Sequence, residues 1–182
     1  MSDTYKVLDE CLACDSQNLS LVLDLGLMPL ANALRKNKTD PINRYPLQLN
    51  RCKDCTHLQL SVAVDPDVLF RNYLYVSGVS KPMEKHFEWF ASYATGLYES
   101  MNDHRPVTVL DIGCNDGSQL DKFTSGMITY GIDPAKNLAE ISRAKGHTIF
   151  PEYFNMDFIT DQSSPDKYDI LVAQNVFAHN SN

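Results

Sequence analysis

Polar and apolar positions along the chain change rhythm twice. From about residue 106 onward, short apolar runs alternate with stretches of helical period. Strands read at Thr108–Ile112, Ile128–Ile132, His147–Phe150 and Asp169–Ala173, and helices near Ser118–Phe123 and Lys136–Lys145. That alternation predicts parallel β–α–β units, in which each crossover packs back on the sheet. Residues 63–105 read as helical and aromatic. "DPDVLFRNYLY" predicts a short helix with Asp65 as N-cap and Pro66 at its first position, where a missing N–H costs nothing. "SKPMEKHFEWFASYATGLYESM" predicts a longer helix opened by Ser80. Its Met83, Phe87, Phe90, Ala91, Ala94, Leu97, Tyr98 and Met101 recur at helical spacing and form one apolar face. Residues 1–62 show little periodicity. There "LGLMPLANAL" is apolar, and "RKNKTDPINRYP", with two prolines, reads as a polar loop. The expected architecture is α/β: a small cysteine-rich module over 1–62, a helical linker and lid over 63–105, and a partial Rossmann-like sheet over 106–182.

Composition narrows the partners. The 182 residues are 43% hydrophobic and 21% charged, an ordinary globular mix. The net charge of −7 gives no general attraction for nucleic acid or an anionic membrane. No apolar run approaches the roughly 20 residues of a membrane helix. The opening "MSDTYKVLDECLAC" lacks the basic, apolar and small-residue series of a signal peptide. The expectation is a cytoplasmic protein with no nucleic-acid or membrane partner. In that compartment five cysteines argue for metal or free thiols rather than disulfides.

Four of the five form two pairs, Cys11-Leu-Ala-Cys14 and Cys52-Lys-Asp-Cys55. Two intervening residues let both thiolates of a tight turn reach one ion, and two such turns supply four soft ligands for tetrahedral zinc. A short module with little core of its own gains from such a staple. Four cysteines close the coordination shell, so the expected zinc is structural. The competing reading is a redox dithiol or a pair of incidental turns. His57, close to the second pair, is expected to be an ordinary side chain.

The stretch "VTVLDIGCNDGSQL" runs from a strand into a glycine loop. A dinucleotide fingerprint, G-x-G-x-x-G, needs a second glycine so that a pyrophosphate can approach the backbone. Here that position is Asn115, within Gly113-Cys114-Asn115-Asp116-Gly117. Asp111 and Asp116 flank it, and two carboxylates there oppose a bound phosphate. They favour a ligand with an ammonium and a sulfonium and no phosphate, which describes S-adenosylmethionine. Asp133, closing "ITYGID", stands at the second-strand position where a carboxylate accepts ribose hydroxyls. The competing reading is a strand-to-helix turn with no ligand, which accounts for the glycines but not the acids. Cys114 reads as a small packing residue, and His86 and Trp89 as packing on the long helix with a lid role open.

Taken in order, these segments resemble the S-adenosylmethionine-dependent sugar C-methyltransferases that act on nucleotide-linked deoxysugars. The resemblance rests on the paired CxxC module, "PLAN", "YPLQLNRCKDCTHLQL", "LFRNYLYVSGVS", "VLDIGCNDGSQL", "GIDPAKNLAE" and "YDILVAQNVFAH", and covers essentially the whole chain. It implies a class I methyltransferase core and a further C-terminal domain. Only four of the seven core strands are legible, so the chain reads as a family member truncated after the fourth strand. Such a chain is expected to be inactive alone and to pair or aggregate through the exposed edge "YDILVAQ". The resemblance implies a nucleotide-sugar substrate and an enolate made by removing a proton beside its keto group. It places His179 and Tyr75 in the substrate site. Asp111, Gly113, Asn115, Asp116, Gly117, Asp133, Pro134, Phe154, Asn155 and Asn175 are the expected cofactor residues, with Phe154 and Asn155 at the adenine and Asn175 at the methionine end. Two other readings stay open: a methyltransferase for RNA or another small molecule, and a non-catalytic module that binds zinc or S-adenosylmethionine.

Overall fold

The computed structural model describes residues 4–101, 107–123, 126–160, 165 and 167–179. The chain divides into two compact units, Met1–Leu69 and Phe70–Asn182.

The first unit is built from short antiparallel strands. β1 (Tyr5–Val7) pairs with β5 (Val62–Val64), while β2 (Leu19–Pro29), β3 (Arg44–Cys52) and β4 (Leu58–Leu60) form a meander in that order. β3 starts at Arg44, so the end of "RKNKTDPINRYP" is strand rather than loop. Pro46 is tolerated there because β4 pairs only with Leu49–Arg51, leaving β3 with a single neighbour at the proline. The β2–β3 register shifts between Asp24 and Leu27, where Gly26 takes φ +73 and its N–H donates to Asp24 Oδ1 at 2.8 Å. Buried apolar residues are few: Cys11, Tyr45, Cys52 and Val62. A module of this size with so small a core depends on another fastening.

The second unit holds the sheet. A short helix, α1 (Pro66–Phe70), leads into it. Asp65 caps α1 as expected, its Oδ1 accepting the Asp67 N–H at 2.9 Å. Then follow α2 (Lys81–Met101), β6 (Val107–Ile112), β7 (Met127–Ile132), α3 (Lys136–Ala144), β8 (Thr148–Phe150), α4 (Met156–Thr160) and β9 (Ile170–Ala173). The four strands are parallel in the order β8-β7-β6-β9, half of a doubly wound sheet. All four strands fall within about a residue of the sequence expectation, because each reads as a short apolar run. One face carries Val107, Val109 and Val172 under Ala91 and Tyr98 of α2; the other carries Leu110, Ile112 and Ile132 with Phe158 of α4. β9 stands at one edge, and at its start Asp169 Oδ2 accepts the Thr108 N–H (2.7 Å) and hydroxyl (2.8 Å), fastening it to β6.

Two expectations need correction. The helix expected over Ser118–Phe123 is a single 3₁₀ turn, Leu120–Lys122. Leu120 and Phe123 are both buried, three residues apart, which is the period of that turn, and Phe123 is already extended. On α2 the buried stripe is Phe87, Ala91 and Tyr98, with Phe90 and Ala94 packed beside it, whereas Leu97 and Met101 are exposed. The Tyr98 hydroxyl donates to Asp169 Oδ1 at 3.1 Å. Among the described residues no helix is long and apolar enough to cross a membrane.

Candidate metal centre and cofactor loop

The two CxxC turns repeat one geometry. In the first, Cys11 N–H donates to Ser16 O (2.8 Å) and Asp15 N–H to Cys11 O (2.9 Å). In the second, Cys52 N–H donates to His57 O (2.9 Å) and Thr56 N–H to Cys52 O (3.1 Å). Asp15 (φ 58) and Thr56 (φ 66) both take the left-handed conformation four residues after the leading cysteine. For β-branched Thr56 that is unusual and is held by the turn. The turns bring Cys11 Sγ to 3.5 Å from Cys55 Sγ and Cys14 Sγ to 3.7 Å from Cys52 Sγ, with all four sulfurs within 4.8 Å of one another. A tetrahedron with metal–sulfur bonds of about 2.3 Å has sulfur–sulfur edges of about 3.8 Å. A disulfide requires about 2.05 Å. The quartet therefore fits zinc, and all five cysteines are free thiols.

Its electrostatics point the same way. The Cys55 N–H, 3.5 Å from Cys52 Sγ, holds that thiol down to about 6, a ready thiolate. Cys14 is pushed up to about 12: the Ser16 N–H lowers it, but the neighbouring Cys55, Cys11 and Cys52 sulfurs and desolvation outweigh that. Four sulfurs this close resist joint ionisation until a cation balances them. Buried Gln59 supports the first turn, its Oε1 accepting Leu12 N–H (2.9 Å) and its Nε2 donating to Glu10 O (2.8 Å). Asp54 ties the turns together by accepting from the Ser16 hydroxyl and the Asn18 amide. His57 contributes its backbone: its carbonyl accepts the Cys52 N–H, and its N–H acts on the Cys55 thiol.

In the second unit the loop after β6 has backbone reasons for its glycines. Gly113 (φ +76) donates its N–H to Ile132 O at 2.7 Å, and a side chain there would collide with Val176. Gly117 (φ +77) packs so close to Ser142 and His147 of the α3 region that it, too, has no room for a Cβ. Cys114 is a buried packing residue, as expected. A Cβ on Gly131 would come within 2.5 Å of its Sγ, and burial, then the charge of Asp111, pushes its thiol well above the usual range.

The acids sort differently from their order in sequence. Asp116 is buried but satisfied within the protein. Its carboxylate accepts the Ser118 N–H (3.3 Å) and hydroxyl (2.8 Å) and lies 3.6 Å from Lys145 Nζ. Lys145 in turn reaches Asp121 at 3.0 Å, and Asp121 reaches His147 at 2.9 Å. The pair left uncompensated is Asp111 with Asp133. Asp111, only 4% exposed, is pushed up to about 8, first by burial and then by the charge of Asp133. No donor reaches its carboxyl among the described residues. Asp133 accepts the Asn115 N–H (2.9 Å) and Ala135 N–H (2.8 Å), which lower its pKa, yet burial still raises it. Each of its oxygens has accepted one N–H and keeps a lone pair for a hydroxyl.

The other expected site residues are distributed around the same end of the sheet. Asn115 (φ 52) takes a left-handed conformation, and its side chain is committed: Oδ1 accepts Ser77 N–H and Nδ2 donates to Tyr75 O, each at 3.0 Å. Tyr75 is partly exposed. Pro134 is half-buried between Asp133 and α3. Phe154 packs against Phe158 and Phe177, with ring centroids 5.9 and 6.4 Å away. Asn155 Oδ1 accepts the Phe158 N–H at 3.0 Å and caps α4. Asn175 (φ 56) is exposed just past β9. His179 ends a 3₁₀ turn, Phe177–His179, exposed, its ring 6.0 Å from that of Phe70. Tyr75 and His179 make no recorded hydrogen bond or ring contact with each other. His86 Nε2 lies 2.7 Å from Gln174 Oε1, and Gln174 Nε2 donates to Gln119 Oε1 at 2.8 Å, so α2 is tied to the loops after β6 and β9. Trp89 stacks on Tyr93 at the surface, 59% exposed, rather than packing inside. Sequence reasoning passed over Lys145, Gln119 and Gln174, although a lysine at the end of α3 two residues before His147 was a visible charge signal.

Fold and site together describe a cysteine-rich module with a zinc-binding quartet followed by a Rossmann-like parallel sheet. Residues 11–70 match the family Methyltransf_13, described as "Putative zinc binding domain". Over 160 residues the chain is 28% identical to the C-methyltransferase NovU of Streptomyces niveus, spanning 86% of this chain and 37% of that relative. Among solved structures it is similar to the plantazolicin methyltransferase BpumL in complex with a pentazolic desmethylPZN analog and SAH, with 21% identity, a TM-score of 0.44, and coverage of 58% of this chain and 41% of that one. It is also similar to the magnesium protoporphyrin IX methyltransferase ChlM of Synechocystis PCC 6803 with bound SAM, with 16% identity, a TM-score of 0.38, and coverage of 51% and 46%. The chain thus spans 37% to 46% of the length of these proteins.

Proposed function

We propose that the second unit binds S-adenosylmethionine and that the chain is part of an enzyme methylating a carbon beside the keto group of a nucleotide-linked deoxysugar. The observation that carries the reading is the buried pair Asp111 and Asp133. Two acids this close in an apolar surround favour a cationic, phosphate-free ligand with ribose hydroxyls and disfavour a pyrophosphate. The similarity to a relative named as a C-methyltransferase supports the reaction type. When bound, S-adenosylmethionine supplies an electrophilic methyl group. The chain's own residues would do the rest. Asp133 accepts from the ribose, and Asp111 balances the ligand's positive charge. Phe154 offers an apolar face to the adenine, and Pro134 shapes the turn below it. His179 takes the proton from the substrate carbon, and Tyr75 donates to the developing enolate oxygen. Residues 63–105 act as linker and lid, and zinc holds the first unit's turns together. The free thiols support a reducing cytoplasmic setting. Calorimetric titration with S-adenosylmethionine, its demethylated product and NADH, followed by a methyl-transfer assay on keto-sugar nucleotides with the complete protein, tests the reading. Binding of NADH in place of S-adenosylmethionine would overturn it.

A further inference from the structure

Residues 71–78 run along the ends of three strands and are held there mostly by main-chain contacts. After β8, Pro151 O accepts from Arg71 Nη1 at 3.4 Å. After β7, the Asn137 carboxamide accepts Tyr73 N–H (3.1 Å) and donates to Tyr73 O (2.8 Å). After β6, the Asn115 carboxamide accepts Ser77 N–H and donates to Tyr75 O. Gly78 then lies so close to Ser118 and Asp116 that no Cβ fits; its nearest Asp116 oxygen would be 2.6 Å from one. Each carboxamide imitates a peptide unit, with one acceptor and one donor facing a strand-like segment. Two asparagines therefore pair with this strap as a neighbouring strand would. At Tyr73, Tyr75 and Ser77 the pairing uses main-chain groups, which leaves the exposed Tyr75 side chain to face a ligand.

We propose that Asn137, together with Asn115, is a positioning residue: the two carboxamides clamp residues 73–77 against the cofactor loop and so fix Tyr75 at the mouth of the site. The inference rests on the cofactor reading given above. Asn137 is exposed on the first turn of α3, so its replacement leaves the core intact. Its role differs from that of a helix-surface residue in one measurable way. The clamp needs an acceptor and a donor at once, so a carboxyl in its place works in full only while protonated.

The test is amide hydrogen exchange on the whole chain, resolved to residues 71–79, for wild type, N137A and N137D, with S-adenosylhomocysteine absent and present. N137A is expected to speed exchange at Tyr73 and its neighbours by roughly tenfold, the weight of one or two hydrogen bonds. N137D is expected to approach wild type as its carboxyl protonates below about pH 4, after correction for intrinsic rates, and to lie between wild type and N137A near pH 7, where the carboxylate still accepts the Tyr73 N–H but repels Tyr73 O. Added S-adenosylhomocysteine should slow strap exchange in wild type, and its affinity should fall several-fold in N137A. Equal exchange in wild type and N137A overturns the clamp. Faster exchange with unchanged ligand affinity overturns its positioning role. Wild type that fails to bind the ligand sinks the cofactor reading, while the ligand-free exchange still decides the clamp.

Discussion

Replacing Asp111 with asparagine should make the second unit more stable while removing its cofactor affinity. In the folded chain the carboxyl is buried inside β6 and held up to about 8, against an ordinary value of 3.8. Between those values the folded protein keeps a proton that the unfolded chain gives up. The stability this residue permits is thus present in full below about pH 4 and is lost as pH rises toward 8. The slope is about 1.4 kcal/mol per pH unit, so the accumulated loss is on the order of 4 kcal/mol at pH 7. D111N removes the titrating group and with it that loss. Urea unfolding, followed through Trp89, the chain's single tryptophan, should show D111N and wild type alike at about pH 3.5 and below. D111N should be ahead by about 4 kcal/mol at pH 7. In wild type a cationic ligand should bind more tightly as pH rises through the same window, because binding releases the proton. D111N should lose that affinity at every pH. A stability difference that stays flat with pH, or a D111N protein less stable than wild type at pH 8, would refute the burial argument.

Two further outcomes follow from other sites. Protein purified without added metal should carry about one equivalent of zinc, and C52S or a strong chelator should melt residues 4–69 while the parallel sheet keeps its far-ultraviolet signal; a folded first unit without metal contradicts the quartet reading. K145M should destabilise the second unit by roughly 2–4 kcal/mol, because it strands the buried Asp116 carboxylate, and K145M paired with D116N should recover most of the loss in the same urea assay.

How much of this was legible in the sequence depended on which force organises each segment. The four parallel strands were visible because each is a short apolar run; β6 buries both faces, as Val109 and Leu110 do on opposite sides, while β7, β8 and β9 each keep an exposed residue. The first unit's strands were not. β2 does alternate, with leucine at 19, 21, 23, 25 and 27, yet Leu21, Leu23, Leu25 and Leu27 are all exposed, so the pattern marks no buried face, and the fold there follows from two cysteine turns rather than from a core. The zinc quartet was legible from spacing alone, since two four-residue turns of the same form need only close. The loop acids were legible as a set but not as a pairing. Nothing along the chain shows that Lys145 neutralises Asp116, because that contact depends on how α3 returns beside the loop. Asn155 and Asn175 could be placed after their strands, yet a sequence cannot say that one of them spends its side-chain oxygen on capping α4.

The position where a dinucleotide loop has its second glycine explains why the remaining features occur together. A glycine there leaves space for a phosphate to approach the backbone. Asn115 keeps the left-handed backbone that glycine would supply, at φ 52, but fills the space with a carboxamide. That carboxamide holds Tyr75 and Ser77, so the strap lies where a pyrophosphate would otherwise come close. The Asn115 N–H, which could have served a phosphate oxygen, instead donates to Asp133. One residue thus fills the space a phosphate would need, anchors the strap and holds the Asp133 carboxylate. A ligand for this loop must do without phosphate contacts and answer to two buried carboxyls, and the strap that carries Tyr75 is fixed by the residue that imposes that requirement.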